Sequence, residues 1–153
     1  MDRRDVRGGD MVGILALTIV LSGCSVTYLD MYQDLPVVSS LEEAWVLSDG
    51  IKGIMETGEE HWQEPRETYY LQTGDCEDIA AFLVALIHTA RLGEAHIAVI
   101  EGLQEGYGHA VVSYKGRFLE AQQVGVYYPD NTPILGTYTL FEYVMYRTLK
   151  GVP

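Results

Sequence analysis

The run Ile79 to Ile87 constrains this chain more than any other stretch. Ile79, Ala80, Phe82, Leu83, Val84, Leu86 and Ile87 are apolar on nearly every side of a helix, and a helix apolar all round must be buried. Its start is written in the residues just ahead of it. Asp75 suits the N-cap, and Asp78, three positions on, can reach back to the cap's own N–H. The helix is therefore expected from Cys76 to about Arg91, with Gly93 as the residue that follows its C-terminus. Cys76 falls in the first turn, where unpaired N–H groups and the helix dipole favour a thiolate. Asp75, Glu77 and Asp78 push the other way, so a base must come from elsewhere in the chain. A thiol at the end of a rigid, buried helix is well mounted to act as a nucleophile.

The surrounding chain reads as helices followed by strands. Ser40-x-x-Glu43 is a capping box, and apolar residues at helical spacing predict a helix over about 41–57. Gly50 and Gly53 each weaken it by about 1 kcal/mol if interior. Residues 59–72, polar and interrupted by Pro65, are expected to be loop. Residues 96–100 read as a strand, 102–108 as a Gly-rich loop, and 109–114 and 117–122 as two strands joined at Lys115-Gly116. Residues 123–137 read as loop. Thr139-x-x-Glu142 caps a last helix to about Leu149, with Leu140, Tyr143 and Val144 facing inward. Segregated helices and strands of this kind predict an α+β fold with an antiparallel sheet.

Of the four histidines, 61, 88, 96 and 109, His109 stands out because it opens a strand right after the Gly-rich loop. A two-residue turn at Lys115-Gly116 pairs Tyr114 with Arg117. His109, Val111, Glu120 and Gln122 then share one face, because side chains alternate along a strand. Glu120 lies diagonal to His109, within reach of a long side chain. A carboxylate on one ring nitrogen orients the imidazole and frees the other to take the thiol's proton. A three-residue turn would put Glu120 on the opposite face.

A length of 153 residues suits one domain. The formal charge of −12 argues against nucleic acid as a partner, since phosphate binding needs clustered Lys and Arg. At the N-terminus, Arg3, Arg4 and Arg7 precede an apolar run, Met11 to Leu21, too short to span a bilayer. Leu21-Ser22-Gly23-Cys24 resembles a bacterial lipobox. That resemblance implies a lipoprotein signal peptide over 1–23, a lipid anchor on Cys24, a tether over 24–39 and a folded domain over 40–153. Ser25 after the lipidated cysteine implies the outer membrane, with the domain facing the periplasm. Two cysteines in an exported chain first suggest a disulfide, but a lipidated Cys24 cannot pair with Cys76. Cys76 is then a lone thiol in an oxidising compartment.

Three segments carry a second resemblance, to the bacterial transglutaminase-like cysteine peptidases of the papain-like/transglutaminase-core superfamily. Gly74-Asp75-Cys76-Glu77-Asp78-Ile79-Ala80 is similar to that family's nucleophile motif and is the most specific match. Trp62-x-x-Pro65-x-Glu67-Thr68 is similar to the segment ahead of it, and Gly108-His109-Ala110-Val111-Val112 to its histidine strand. The resemblance implies a small transglutaminase-core/papain-like domain and a triad of Cys76, His109 and Glu120. It implies acyl transfer from peptide or other amide bonds through a thioester, acting on a protein or peptide of the cell envelope. The third member is usually Asp or Asn, and Asp130 is the alternative to Glu120. The oxyanion would be held by the Cys76 N–H and a second donor. Gln63 is the choice by analogy with the papain-like group, and Trp62 by analogy with the transglutaminases. No cofactor is required. One branch of the family binds calcium through carboxylates beside the cysteine, positions held here by Asp75 and Glu77, although both also suit a helix N-terminus. The competing reading is a catalytically degenerate binding or scaffold lipoprotein on the same fold.

Overall fold

The computed structural model describes residues 32–55, 62–102 and 107–150, with side chains as far as residue 145. The expected signal peptide, Cys24 and His61 lie outside the described residues. At the centre is the apolar helix α3, Cys76–Thr89, in which every residue from Ile79 to Ile87 is fully buried. Earlier in the chain come α1 (Leu41–Asp49), β1 (Lys52–Gly53), α2 (Pro65–Leu71) and β2 (Thr73–Gly74). After it come β3 (Ala95–Glu101), β4 (Gly108–Tyr114), β5 (Arg117–Leu119), β6 (Tyr127–Tyr128), β7 (Ile134–Tyr138) and α4 (Leu140–Lys150). Strands β3 to β7 form an antiparallel sheet in the order β6-β5-β4-β3-β7, while β1 and β2 pair in parallel. Helix α3 packs on β3 and β4 and touches α1, α2 and α4. Alternation along the strands divides the core. Ala95, Ile97, Ala110, Val112 and Tyr114 join the α3 cluster, whereas Ala98, Ile100 and Val111 form a second cluster with Phe118 and Tyr128.

Five expectations are corrected. Helix α1 stops at Asp49 instead of running to 57, because the chain turns inward at buried Ile51 so that β1 can pair with β2. The interval 59–72 contains a helix: Pro65 starts α2, at the one helical position where a missing N–H costs nothing. The interval 123–137 contains β6 and β7. Strand β7 is an edge strand mostly exposed to solvent, so it carries no alternating pattern to read. Strand β5 ends at Leu119 instead of 122, and the chain then turns through Glu120 to Gln123. At the end of α3, Arg91 and not Gly93 takes the left-handed helical conformation (φ 54°), and Leu92 N–H closes back onto Ile87 O at 3.1 Å.

Two local signals are found as expected. Lys115 (φ 48°) and Gly116 (φ 75°) form a two-residue turn with both residues left-handed, the geometry that matches the twist of a hairpin. It sets the register Tyr114↔Arg117, Ser113↔Phe118 and Val112↔Leu119. Thr139 and Glu142 exchange cap hydrogen bonds of 3.1 and 2.8 Å at the start of α4, which buries Leu140, Tyr143 and Val144.

Candidate active site

The hairpin brings His109 and Glu120 together. His109 Nε2 lies 2.7 Å from Glu120 Oε2, although ladder pairing ends one residue before Glu120. Helix α1 holds the backbone there. Trp45 Nε1 donates to Glu120 O at 2.5 Å, and Ser48 Oγ donates to Ala121 O at 2.8 Å. The Glu120 carboxylate also accepts from Tyr128 OH at 2.7 Å and from Gln122 N–H at 3.0 Å. Burial raises its pKa. The hydrogen bonds from His109, Tyr128 and Gln122 outweigh that and hold the carboxyl below its ordinary range. With Nε2–H on Glu120, Nδ1 of His109 remains to accept a proton. Asp130, the alternative acid, is exposed and is not bonded to His109.

Cys76 is a free, half-buried thiol at the first position of α3. It donates to Glu77 Oε2 at 3.0 Å and is not hydrogen-bonded to His109. Burial first, and then the Glu77 carboxylate, push the thiol up to about 12. The backbone of Ala110, the residue after His109, faces the sulfur and acts in the opposite direction. The opposing push expected from the flanking carboxylates is present, and burial adds to it. A full carboxylate charge in contact and loss of hydration both disfavour the thiolate.

Asp78 does more than cap α3. It is fully buried and accepts from Gln63 N–H at 2.7 Å, Tyr143 OH at 2.8 Å and Asp75 N–H at 3.3 Å. Burial raises its carboxyl to about 6 against the pull of those bonds. Asp78 thereby ties the segment ahead of α2, the nucleophile turn and α4 to one point. Trp62 stacks on Tyr143, with ring centroids 4.9 Å apart and planes at 16°, so its ring packs against the core. Gln63 is buried and its side-chain Oε1 has no hydrogen-bond partner. The capping pattern foretold Asp78's local bond, but nothing local to it points to Tyr143. Tyr128 was missed because β6 is too short to show a pattern.

Gly74 has a steric reason. A Cβ there would sit 2.8 Å from Asp78 Cβ, in backbone fixed by β2 pairing. Gly74→Ala is expected to destabilise the fold by about 1–3 kcal/mol, the usual cost of overpacking. Urea unfolding measures it, and a variant as stable as the parent would show that the turn has room to shift.

Among the described residues, no group of three or more His, Cys, Asp or Glu side chains is gathered to hold a metal. The Asp75 carboxylate caps α3 by accepting Asp78 N–H, and Glu77 accepts the thiol, so each of the two carboxylates already serves one hydrogen bond. His88 is a packing residue, bonded to Tyr32 OH and to Ala95.

No protein-family model matches this chain, and no curated protein matches it in sequence. Two solved structures of Legionella pneumophila LapG match it in three dimensions. The EGTA-treated form has a TM-score of 0.54 at 16% identity, over 72% of this chain and 68% of that one. The calcium-bound form has a TM-score of 0.51 at 20% identity, over 72% and 70%. The fold is similar to that of LapG. It is α+β and transglutaminase-like, with Cys76 at the N-terminus of a buried helix packed on an antiparallel sheet. At these identities the likeness is one of fold.

Proposed function

We propose that this chain is a cysteine hydrolase of peptide or other amide bonds, with Cys76 as nucleophile, His109 as base and Glu120 as the acid that orients it. The observation that carries this reading is the 2.7 Å His109–Glu120 pair, set on β4 next to Ala110, whose backbone faces the Cys76 sulfur. The transglutaminase-like fold supports it. His109 Nδ1 takes the thiol proton as Sγ adds to the amide carbonyl. The oxyanion is held by the Cys76 N–H and by the side-chain amide of Gln63, with Trp62 keeping Gln63's segment in place through its stack on Tyr143. Protonated His109 then gives its proton to the leaving amine. Water, deprotonated by His109, attacks the thioester and releases the acid and the thiol.

In the resting site the thiol is protonated and bonded to Glu77. The proton must therefore move to His109 during attack, and no thiolate stands ready beforehand. Iodoacetamide labelling of Cys76, followed by mass spectrometry of its peptide, is expected to be slower at pH 7 than for a free thiol, whose pKa is about 8.5. It should keep rising with pH beyond that value. Glu77→Gln, which removes the carboxylate charge, should speed labelling roughly tenfold at a fixed pH, one pKa unit's worth. A labelling curve centred near the free-thiol value, unchanged in Glu77→Gln, would refute this resting state.

The lipobox supports a lipid anchor at Cys24 and a place in the bacterial cell envelope, facing the periplasm at the outer membrane. Globomycin sensitivity of processing tests that anchor. One of the two LapG structures is calcium-bound. On this chain calcium would draw on Asp75 and Glu77, and no step of the reaction is routed through it. A second reading, a catalytically degenerate binding lipoprotein, takes its support from the Cys76–Glu77 bond. The deciding experiment compares envelope proteins in cells carrying the parent or the Cys76→Ala chain. Under the hydrolase reading a substrate accumulates uncut in the variant. Identical cleavage patterns leave the binding reading.

A further inference from the structure

We propose that Tyr128 is a positioning residue of this site, its hydroxyl fixing the Glu120 carboxylate against His109. The inference rests on the Cys76–His109–Glu120 reading above. Tyr128 OH and His109 Nε2 both lie 2.7 Å from the same atom, Glu120 Oε2, and Gln122 N–H occupies Oε1 at 3.0 Å. The Tyr128 ring stands 6.1 Å from the imidazole, tilted at 56°.

The strand holds the tyrosine in that place. Phe118 pairs with Tyr128, and Leu119 with Tyr127. The Tyr127 ring is met edge-on by Trp45 at 5.1 Å and covered by the Arg117 guanidinium at 3.5 Å. Neighbouring residues on a strand point to opposite faces, so anchoring Tyr127 aims Tyr128 at His109. Glu has one more methylene than Asp, and a rotamer more to restrain. A second donor on Oε2 and a backbone donor on Oε1 supply the restraint. Both favour the ionised carboxylate, which is the form that stabilises an imidazolium. The Tyr128 hydroxyl is itself pushed up by burial and by Glu120, so it stays a donor at neutral pH. The titratable groups facing this carboxylate are His109 from β4 and Tyr128 from β6. Cys76, at the start of α3, bears on Tyr128.

The test is NMR on the full chain, with Tyr128→Phe keeping the ring and removing the hydroxyl. In the variant the Glu120 side-chain carboxyl carbon should titrate about half a pH unit or more higher, because a donor to the ionised form is gone. The His109 Nε2 proton should move downfield as its share of Oε2 grows. A variant in which neither signal moves, with only Tm lowered, gives Tyr128 a merely structural role and overturns the proposal. If Tyr128→Phe does not fold, the parent still answers: the Tyr128 Cζ signal should follow the Glu120 titration, and a flat Cζ signal overturns the proposal equally. These readouts need no substrate. Loss of the hydrolase reading through unaltered envelope proteins in Cys76→Ala cells would leave them standing, so the two failures are distinct.

Discussion

Cys76→Ala and His109→Ala each lower turnover by about 10³-fold or more, the scale of losing a nucleophile or a general base. The substrate for this measurement is the protein that accumulates uncut in the Cys76→Ala strain. Combining the two changes costs little beyond either alone, because residues that act as one unit are not additive. Neither change should unfold the protein. Cys76 is half-buried at the end of α3, and its side chain bonds to Glu77 and meets the backbone of Ala110. His109 is partly exposed, and removing it leaves Glu120 with Tyr128 and Gln122 N–H as donors. Thermal melts within a few degrees of the parent are therefore expected alongside the lost activity. Full turnover by either variant would refute the assignment.

Asp78→Ala acts on stability. It strips the acceptor from Tyr143 OH, Gln63 N–H and Asp75 N–H, in a place closed to water. Leaving buried donors unpaired costs about 1–3 kcal/mol each, so a total of about 3 kcal/mol or more is expected. Activity should fall too, since Gln63 and Trp62 lose their anchor. Asp78→Asn separates charge from hydrogen bonding, because an amide oxygen can still serve Gln63 N–H and Tyr143 OH. Burial raises the Asp78 carboxyl from 3.8 to about 6. As pH rises through this interval the unfolded chain releases the proton first, and the folded chain keeps it. The unfolded state then binds fewer protons than the folded one, so stability falls with rising pH. About two pKa units correspond to about 3 kcal/mol lost between pH 4 and pH 6. Asp78→Asn lacks that loss. Urea unfolding at pH 4, 5, 6 and 7 should show the variant gaining on the parent as pH rises, and parallel stability curves would contradict it.

The contrast between α2 and α3 shows where local reading works. Helix α3 carries an apolar run long enough to have one solution, whereas α2 has seven residues and begins at a proline that also reads as a break. Strand β7 is equally instructive. Mostly exposed, it lacks the alternation that a half-buried strand imposes, and its place beside β3 depends on the partner strand alone. Helix α1 ends early because a tertiary demand, the pairing of β1 with β2, competes with helical spacing that runs on beyond it.

What the sequence determined by itself was the buried helix with Cys76 in its first turn, the capping of that helix by Asp75, and the register of the β4–β5 hairpin. All three are local. A cap bond spans three residues, and a two-residue turn with positive φ at Lys115 and Gly116 admits one pairing as far as Val112↔Leu119, which brings Glu120 next in line toward His109. Only the tertiary structure decided the rest. It sent Tyr143 to Asp78 across 65 positions, and it set the Tyr128 hydroxyl on Glu120. It also closed water off from the thiol. The field at a helix terminus can be read from a sequence, but what removes water from a sulfur cannot. Desolvation depends on which distant segments close over the site, and here it raises the Cys76 pKa more than any other cause.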